Sequence, residues 1–187
     1  KNEYYIYIQS LRSINLNFIK IKDKFNIIYR NDIKKEKKDN IIKYIKICKK
    51  KNIKFYVMND IAISQKFGAD GVYLSSYNRK VFRKNNEKGK KFEIIGSAHN
   101  LREINIKRKQ GCKKIILSRL FRTNYDNKKS FYGITKFNLI TKNNNNYFVA
   151  LGGIRSKNLM KLKMLNCPAI ALLSEAKKKP AIIRRLF

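Results

Sequence analysis

Short runs of β-forming apolar residues recur eight times along this chain, each ending in polar residues and most followed by a helical segment. The clearest unit spans residues 54–78. Lys54–Met58 is a strand-like run ending at Asn59-Asp60. Ile61–Phe67 is long enough for about two helical turns, with Gly68 placed as the stop. Gly71–Ser75 is a second strand-like run, ending in Ser76–Asn78. A strand, short helix and strand packed this closely predict parallel strands joined by a right-handed crossover. In such sheets ligands sit where the strands end.

The other runs are Tyr4–Ile8, Asn26–Tyr29, Phe92–Ile95, Lys114–Leu117, Tyr147–Leu151 and Ala169–Leu173. Eight strands alternating with helices predict a single (β/α)8 barrel over residues 1–187. The chain is shorter than the ~250 residues typical of that fold, so several helices must be short. A doubly wound open sheet is the alternative, and the absence of GxGxxG after a strand counts against it.

Between the strands, Leu11, Ile14, Phe18 and Ile21 are helically spaced and predict a helix within Leu11–Phe25, although Ile14, Leu16 and Phe18 also alternate. Ile33–Lys50 reads as an amphipathic helix with Ile41, Ile45 and Cys48 inward. Arg79–Lys91 is a basic helix or loop. Asn100 is placed to cap a helix running to Gln110, with Glu103 completing a capping box and Gly111 ending it. Leu120–Gly133 is a polar loop, Ile134–Thr141 a short helix and Asn143–Asn146 a turn. Ser156 is placed to cap a helix carrying Leu159, Leu162 and Leu165, and a basic helix closes the chain at Phe187.

Lys and Arg number 45 against 12 Asp and Glu, a formal net charge of +33. Such charge fits a nucleic-acid or membrane-surface partner. It fits better a composition biased throughout toward Lys, Asn and Ile, because the cations are spread over most segments and no RNA-binding signature accompanies them. Nucleic acid and membrane are therefore not expected partners. Cys48, Cys112 and Cys167 are isolated, with no CxxC pair, so neither zinc nor a disulfide framework is indicated and a reducing cytoplasm fits. No apolar run reaches membrane-spanning length, and no secretory signal pattern is visible. Oligomeric state is open, with a homodimer among the options.

Several strand ends carry groups that suit phosphate. Gly152-Gly153 lets backbone approach a ligand, or simply makes a tight turn. Ser174 adds a hydroxyl at the last strand end, and the ends of strands seven and eight often form a phosphate site in barrels. Asp60 suits Mg²⁺, or a helix N-cap. Arg30, Arg119, Arg122, Lys128 and Lys129 face either a polyphosphate or solvent. His99, the only histidine, reads as structural rather than acid–base. Ser97 has no base partner in sight, which disfavours a serine nucleophile.

VMNDIAISQKFGADGVYLSS at residues 57–76 resembles a family segment reading roughly IINDxxxLAxxxGADGVHLGQ. Gly96–Asn100 resembles its GxSAH, Phe121-Arg122-Thr123 with Lys128 or Lys129 its VFxTxxK loop, Ala150–Ile154 its AxGGI, and Ala171–Ser174 its AVxS. The chain is thus similar to the thiamine-phosphate synthase and thiazole tautomerase family of small (β/α)8 barrels. That resemblance implies coupling of hydroxymethylpyrimidine pyrophosphate to thiazole phosphate, through a pyrimidine carbocation, with release of pyrophosphate. It implies that Asn59 contacts pyrophosphate, Asp60 binds Mg²⁺, and Arg30 and Ser97 are active-site residues. Thr123 with Lys128 or Lys129 would form the pyrophosphate loop, and Gly152, Gly153 and Ser174 the thiazole-phosphate site. The departures are several. Ile28 and Asp32 replace the Gln and Lys of the family's QLRxK, Asn78 its second metal-binding Asp, Ser76 a Gln and Tyr73 a His. Arg119 stands where the synthase has Pro and the tautomerase its catalytic His. A synthase is the first expectation. A paralogue that keeps a phosphate site without the coupling is the second, and a nucleic-acid binder the third.

Overall fold

The computed structural model describes residues 3–19, 23–81, 92–123, 130–142 and 147–173. Eight parallel strands close into a barrel in chain order: β1 (Glu3–Ile8), β2 (Phe25–Tyr29), β3 (Lys54–Met58), β4 (Gly71–Leu74), β5 (Glu93–Ala98), β6 (Lys114–Ser118), β7 (Tyr147–Leu151) and β8 (Ala169–Leu172). β1 pairs with β2 at one side, Tyr4 beside Phe25, and with β8 at the other, Tyr4 beside Ile170. Strands buried on both faces read as continuous apolar runs, as FNIIY, GVYL and AIAL do here. The expected (β/α)8 barrel is therefore the observed fold.

Outward-facing residues such as Ile27, Phe55, Val72 and Leu117 pack under the helices. Inward-facing Tyr5, Tyr7, Tyr56 and Tyr73 fill the barrel with Ile95 and Ile116. So many rings fit because small residues face them. A Cβ on Gly71 would stand 2.9 Å from the Tyr56 ring and 2.1 Å from Glu93 O. The N-terminal mouth is closed by ion pairs. Lys114 Nζ lies 2.9 Å from Glu3 Oε2 and 3.0 Å from Tyr5 Oη, and Lys54 Nζ lies 2.6 Å from Glu93 Oε1. Burial pushes the Glu93 carboxyl up, but hydrogen bonds from Lys54 and Tyr56 and the nearby Lys114 outweigh it and hold the group below the usual range.

The helices are α1 (Lys38–Lys50), α2 (Ile61–Lys66), α3 (Leu101–Lys109) and α4 (Gly133–Lys142). None of the described helices is long and apolar enough to cross a membrane. α1 buries Ile41, Ile45 and Cys48 as the spacing predicts, but begins after a separate 3₁₀ turn at Ile33–Lys35. Two predicted helices are corrected. Residues 11–18 form 3₁₀ turns at Leu11–Ser13 and Leu16–Phe18, because Ser10 and Asn15 side chains accept from Arg12 N and Asn17 N and divert the backbone. Residues 156–164 form 3₁₀ turns at Ser156–Asn158 and Met160–Met164, and Ser156 is not the cap. Arg155 holds the N-cap position, and Asn158 at the third position of the turn reaches back, accepting from Arg155 N at 2.8 Å and donating to Gly153 O at 2.8 Å. β5 also runs past the expected Ile95 to Ala98, taking Ser97 into the strand. Ser174, Lys128, Lys129, the Asn143–Asn146 turn, most of Arg79–Lys91 and the C-terminal helix lie outside the described residues.

Candidate functional site

Arg30, Asn59, Asp60, Ser97, Arg119, Thr123, Gly152 and Gly153 fall at or just past the C-terminal ends of β2, β3, β5, β6 and β7. All belong to one rim of the closed barrel.

The β3 and β4 ends are laced together by amides. Asn59 has φ +58°, in the left-handed region that asparagine tolerates best after glycine. Its Oδ1 accepts from Ser75 N at 2.9 Å and its Nδ2 donates to Ser75 Oγ at 3.1 Å. Asn78 Nδ2 donates to the same Asn59 Oδ1 at 3.3 Å. Asp60 caps α2, Oδ1 accepting from Ile63 N at 2.8 Å, which is the helix-cap alternative named above.

A row of rings crosses the barrel beneath the rim. The Arg30 guanidinium carbon lies 5.8 Å from the Tyr7 ring centroid. Tyr7 meets Tyr73 edge-on at 5.5 Å, and Tyr73 Oη donates to Ser97 Oγ at 2.9 Å. Because that donor occupies a lone pair of Ser97, the Ser97 proton is left to point elsewhere. Burial raises the Tyr7 phenol well above its ordinary pKa, as does neighbouring Tyr73, so Tyr7 stays neutral at any physiological pH.

On the opposite arc, Arg119 Nη1 donates to buried Thr123 Oγ1 at 3.0 Å. Phe121 N donates to Gly152 O at 3.0 Å, tying the segment after β6 to the glycine turn after β7. Both glycines have positive φ, +106° at Gly152 and +66° at Gly153. A Cβ on Gly153 would stand 2.6 Å from Phe121 O and Arg122 O, so the pair is required by this close approach whatever else it binds.

His99 Nδ1 lies 3.0 Å from Glu103 Oε2, and Glu103 accepts from His99 N at 2.7 Å. The predicted capping box is thus altered on its return side: Asn100 caps Glu103 N, while the carboxylate accepts from His99 N and from Asn100 Nδ2 rather than from Asn100 N. Neither His99 nor a carboxylate hydrogen-bonds Ser97, so no activated nucleophile stands at this rim among the described residues. Cationic groups, hydroxyls and amides dominate instead, a set that binds anions and stabilises a departing one.

The Mg²⁺ implied by the resemblance finds a poor donor set here. Asp60 is the one carboxylate that the resemblance leaves for a metal among the described residues, and Asn78 Oδ1 already accepts from Lys80 N at 3.0 Å and Gln110 Nε2 at 3.3 Å. No group of three or more metal-ligating side chains exists among the described residues. These residues do not fit a resident divalent ion.

Lys107 escaped the sequence reading. It is fully buried, three residues after buried Ile104 on the inward stripe of α3, and Gln110 follows at the same spacing. A lysine on an apolar stripe was the available signal. Burial pulls the Lys107 pKa down, partly offset by Cys112 and Glu103.

Residues 13–176 match the family described as thiamine monophosphate synthase. Thiamine-phosphate synthases of two Prochlorococcus marinus strains are similar: strain AS9601 at 32% identity over 136 residues, and subspecies pastoris strain CCMP1986 at 37% over 134 residues. Each alignment covers 69% of this chain but 37% of the relative, so the match spans under two-fifths of those proteins. Thiamine phosphate pyrophosphorylase from Pyrococcus furiosus superposes with a TM-score of 0.73 at 16% identity, covering 99% of this chain and 95% of that one. KGPDC from Streptococcus mutans superposes with a TM-score of 0.62 at 9% identity, covering 99% and 98%, and shares the fold alone.

Proposed function

The chain belongs to the thiamine monophosphate synthase family, and from that premise we propose that it couples hydroxymethylpyrimidine diphosphate to thiazole phosphate within a single barrel domain. The supporting observation is the sorting of the rim. Amides and hydroxyls on the β3–β4 arc face cationic and glycine-rich backbone on the β6–β7 arc, with no activated nucleophile between them among the described residues.

In this reaction the bond from the pyrimidine methylene to the diphosphate oxygen breaks, and its electron pair leaves with diphosphate. The thiazole nitrogen then bonds the methylene cation. The protein's task is to hold two anionic substrates and favour the departing charge. Asn59 and Thr123 bind the diphosphate, and Arg119, fixed by its bond to Thr123, stands beside it. Lys128 and Lys129, on the loop that follows, are assigned to the same anion. Arg30 supplies a further cation above the Tyr7 ring. Ser97, which accepts a hydrogen bond from Tyr73, donates one of its own to the pyrimidine. Gly152, Gly153 and Ser174 take the thiazole phosphate on backbone N–H and hydroxyl groups. Asp60 acts by capping α2 beside Asn59 rather than by holding a resident metal.

Incubation of the purified chain with both precursors and Mg²⁺ is expected to yield thiamine phosphate and pyrophosphate. No product from the wild type would reject the synthase reading. It would favour a paralogue that binds thiazole phosphate, detected as a melting-temperature rise with ligand. Asp60 separates cap from metal. Asp60→Asn keeps the cap and is expected to hold the rate within about threefold, whereas Asp60→Ala is expected to lose about 1 kcal/mol of stability. A rate collapse in a well-folded Asp60→Asn protein would show that the carboxylate charge itself is needed.

A further inference from the structure

Lys107 is buried without a carboxylate at its ammonium. Nζ donates to Ser75 O at 2.6 Å, Asn78 O at 2.8 Å and Gln110 Oε1 at 2.9 Å. Gln110 Nε2 in turn donates to Asn78 O at 3.0 Å and Lys80 O at 2.7 Å. Every one of these backbone acceptors lies in the loop after β4. The stem of Lys107 reaches them across Gly96 of β5, where a Cβ would stand 2.7 Å from Lys107 Cδ. The strand thus carries glycine where this side chain passes.

The loop is held from both directions. Asn59 grips Ser75 from the β3 end, and Asn78 returns a bond to Asn59. Lys107 and Gln110 grip the same two residues' carbonyls from α3. An ammonium buried against neutral acceptors carries a desolvation penalty that an apolar side chain would avoid. Removing the ammonium would relieve that penalty but leave Ser75 O and Gln110 Oε1 without this donor, two effects that oppose each other, while its convergent bonds fix where the loop carbonyls sit.

We propose that Lys107 and Gln110 are a positioning pair that fixes the Ser75–Lys80 loop, and through it the Asn59 and Asn78 amides, for a diphosphate-bearing ligand. The identity of that ligand rests on the synthase reading; the ordering of the loop does not. Lys107 touches no substrate and acts through Asn78 and Ser75.

The test compares wild type with Lys107→Met, which keeps most of the stem and removes the charge. Amide exchange at Asn78 and Lys80, both hydrogen-bonded in the loop, is expected to accelerate about tenfold or more. The melting temperature is expected to stay within about 4 °C. KM for hydroxymethylpyrimidine diphosphate is expected to rise about tenfold, with KM for thiazole phosphate unchanged within about twofold. An unchanged diphosphate KM overturns the proposal whatever the exchange shows. An equal rise in both KM values with a large fall in melting temperature also overturns it, since that is general damage. Should Lys107→Met fail to fold, Gln110→Met, which leaves the ammonium its two carbonyls, is held to the same criteria. If the wild type forms no product, the synthase reading fails on its own. Exchange at the two amides and the Kd for inorganic pyrophosphate then decide: faster exchange with weaker binding supports the pair, and no change in either removes it.

Discussion

Alanine at Gly153 is expected to lower the melting temperature by roughly 6–12 °C, corresponding to about 3 kcal/mol. Two effects combine. The backbone there has φ +66°, which a side chain tolerates poorly, and the new Cβ would lie 2.6 Å from Phe121 O and Arg122 O. Neither oxygen can withdraw without breaking the Phe121 N to Gly152 O bond that seats the segment. Gly133 supplies the control. It has a nearly identical φ of +67°, but nothing lies within 4 Å of a Cβ placed on it. Gly133→Ala isolates the backbone term, about 1 kcal/mol and about 2–4 °C. Thermal melts of the two variants decide the matter, and equal shifts would show that the close approach at Gly153 is relaxed in solution.

Raising the pH from 9 to 11 is expected to unfold the protein in one cooperative step. Burial raises the pKa values of the Tyr5, Tyr7, Tyr44 and Tyr56 phenols and pushes the Cys48 and Cys112 thiols up to about 12. A group whose pKa is higher folded than unfolded stabilises the fold below the unfolded value. That stability is lost as pH rises, because only the unfolded chain then releases the proton. With phenols titrating near 10 and thiols near 8.5–9 when unfolded, the loss between pH 9 and 11 reaches about 10 kcal/mol. A domain of this size holds about 5–15 kcal/mol in all. Lys107 works the other way, since its lowered pKa relieves a penalty as pH climbs toward its unfolded value, but it is one group against six. Tyrosinate absorbance and far-UV circular dichroism should change together. Phenols ionising gradually up to pH 12 under an unchanged dichroism spectrum would contradict the buried-ring core.

The barrel was legible because strands buried on both faces leave runs such as FNIIY and AIAL that no loop would carry. Residues 11–18 misled because leucine and isoleucine spacing satisfied a helix while Ser10 and Asn15 held the chemistry that prevents one. Asn158 did the same at the β7 end. Such side-chain competition is local, yet it leaves hydrophobic spacing untouched. At the rim, the strand ends located Asn59, Asp60, Arg119 and the glycine pair. What each touches depended on neighbours far along the chain: Ser75 for Asn59, Phe121 and Arg122 for Gly153, Tyr73 for Ser97. The Lys107 contacts join residues 29–32 positions apart, beyond any motif.

Seven of the eight strand pairings join strands adjacent in sequence, and one joins the first strand of the barrel, β1, to the last, β8. The ring can therefore zip up stepwise from short loops, while its last seam carries the entropy of closing the long stretch from Glu3 to Leu172. Until Glu3 to Ile6 meet Ala169 to Leu172, two apolar strand edges stand open at once. An open apolar edge is a template for self-association, and like charge at +33 opposes the approach of two such chains.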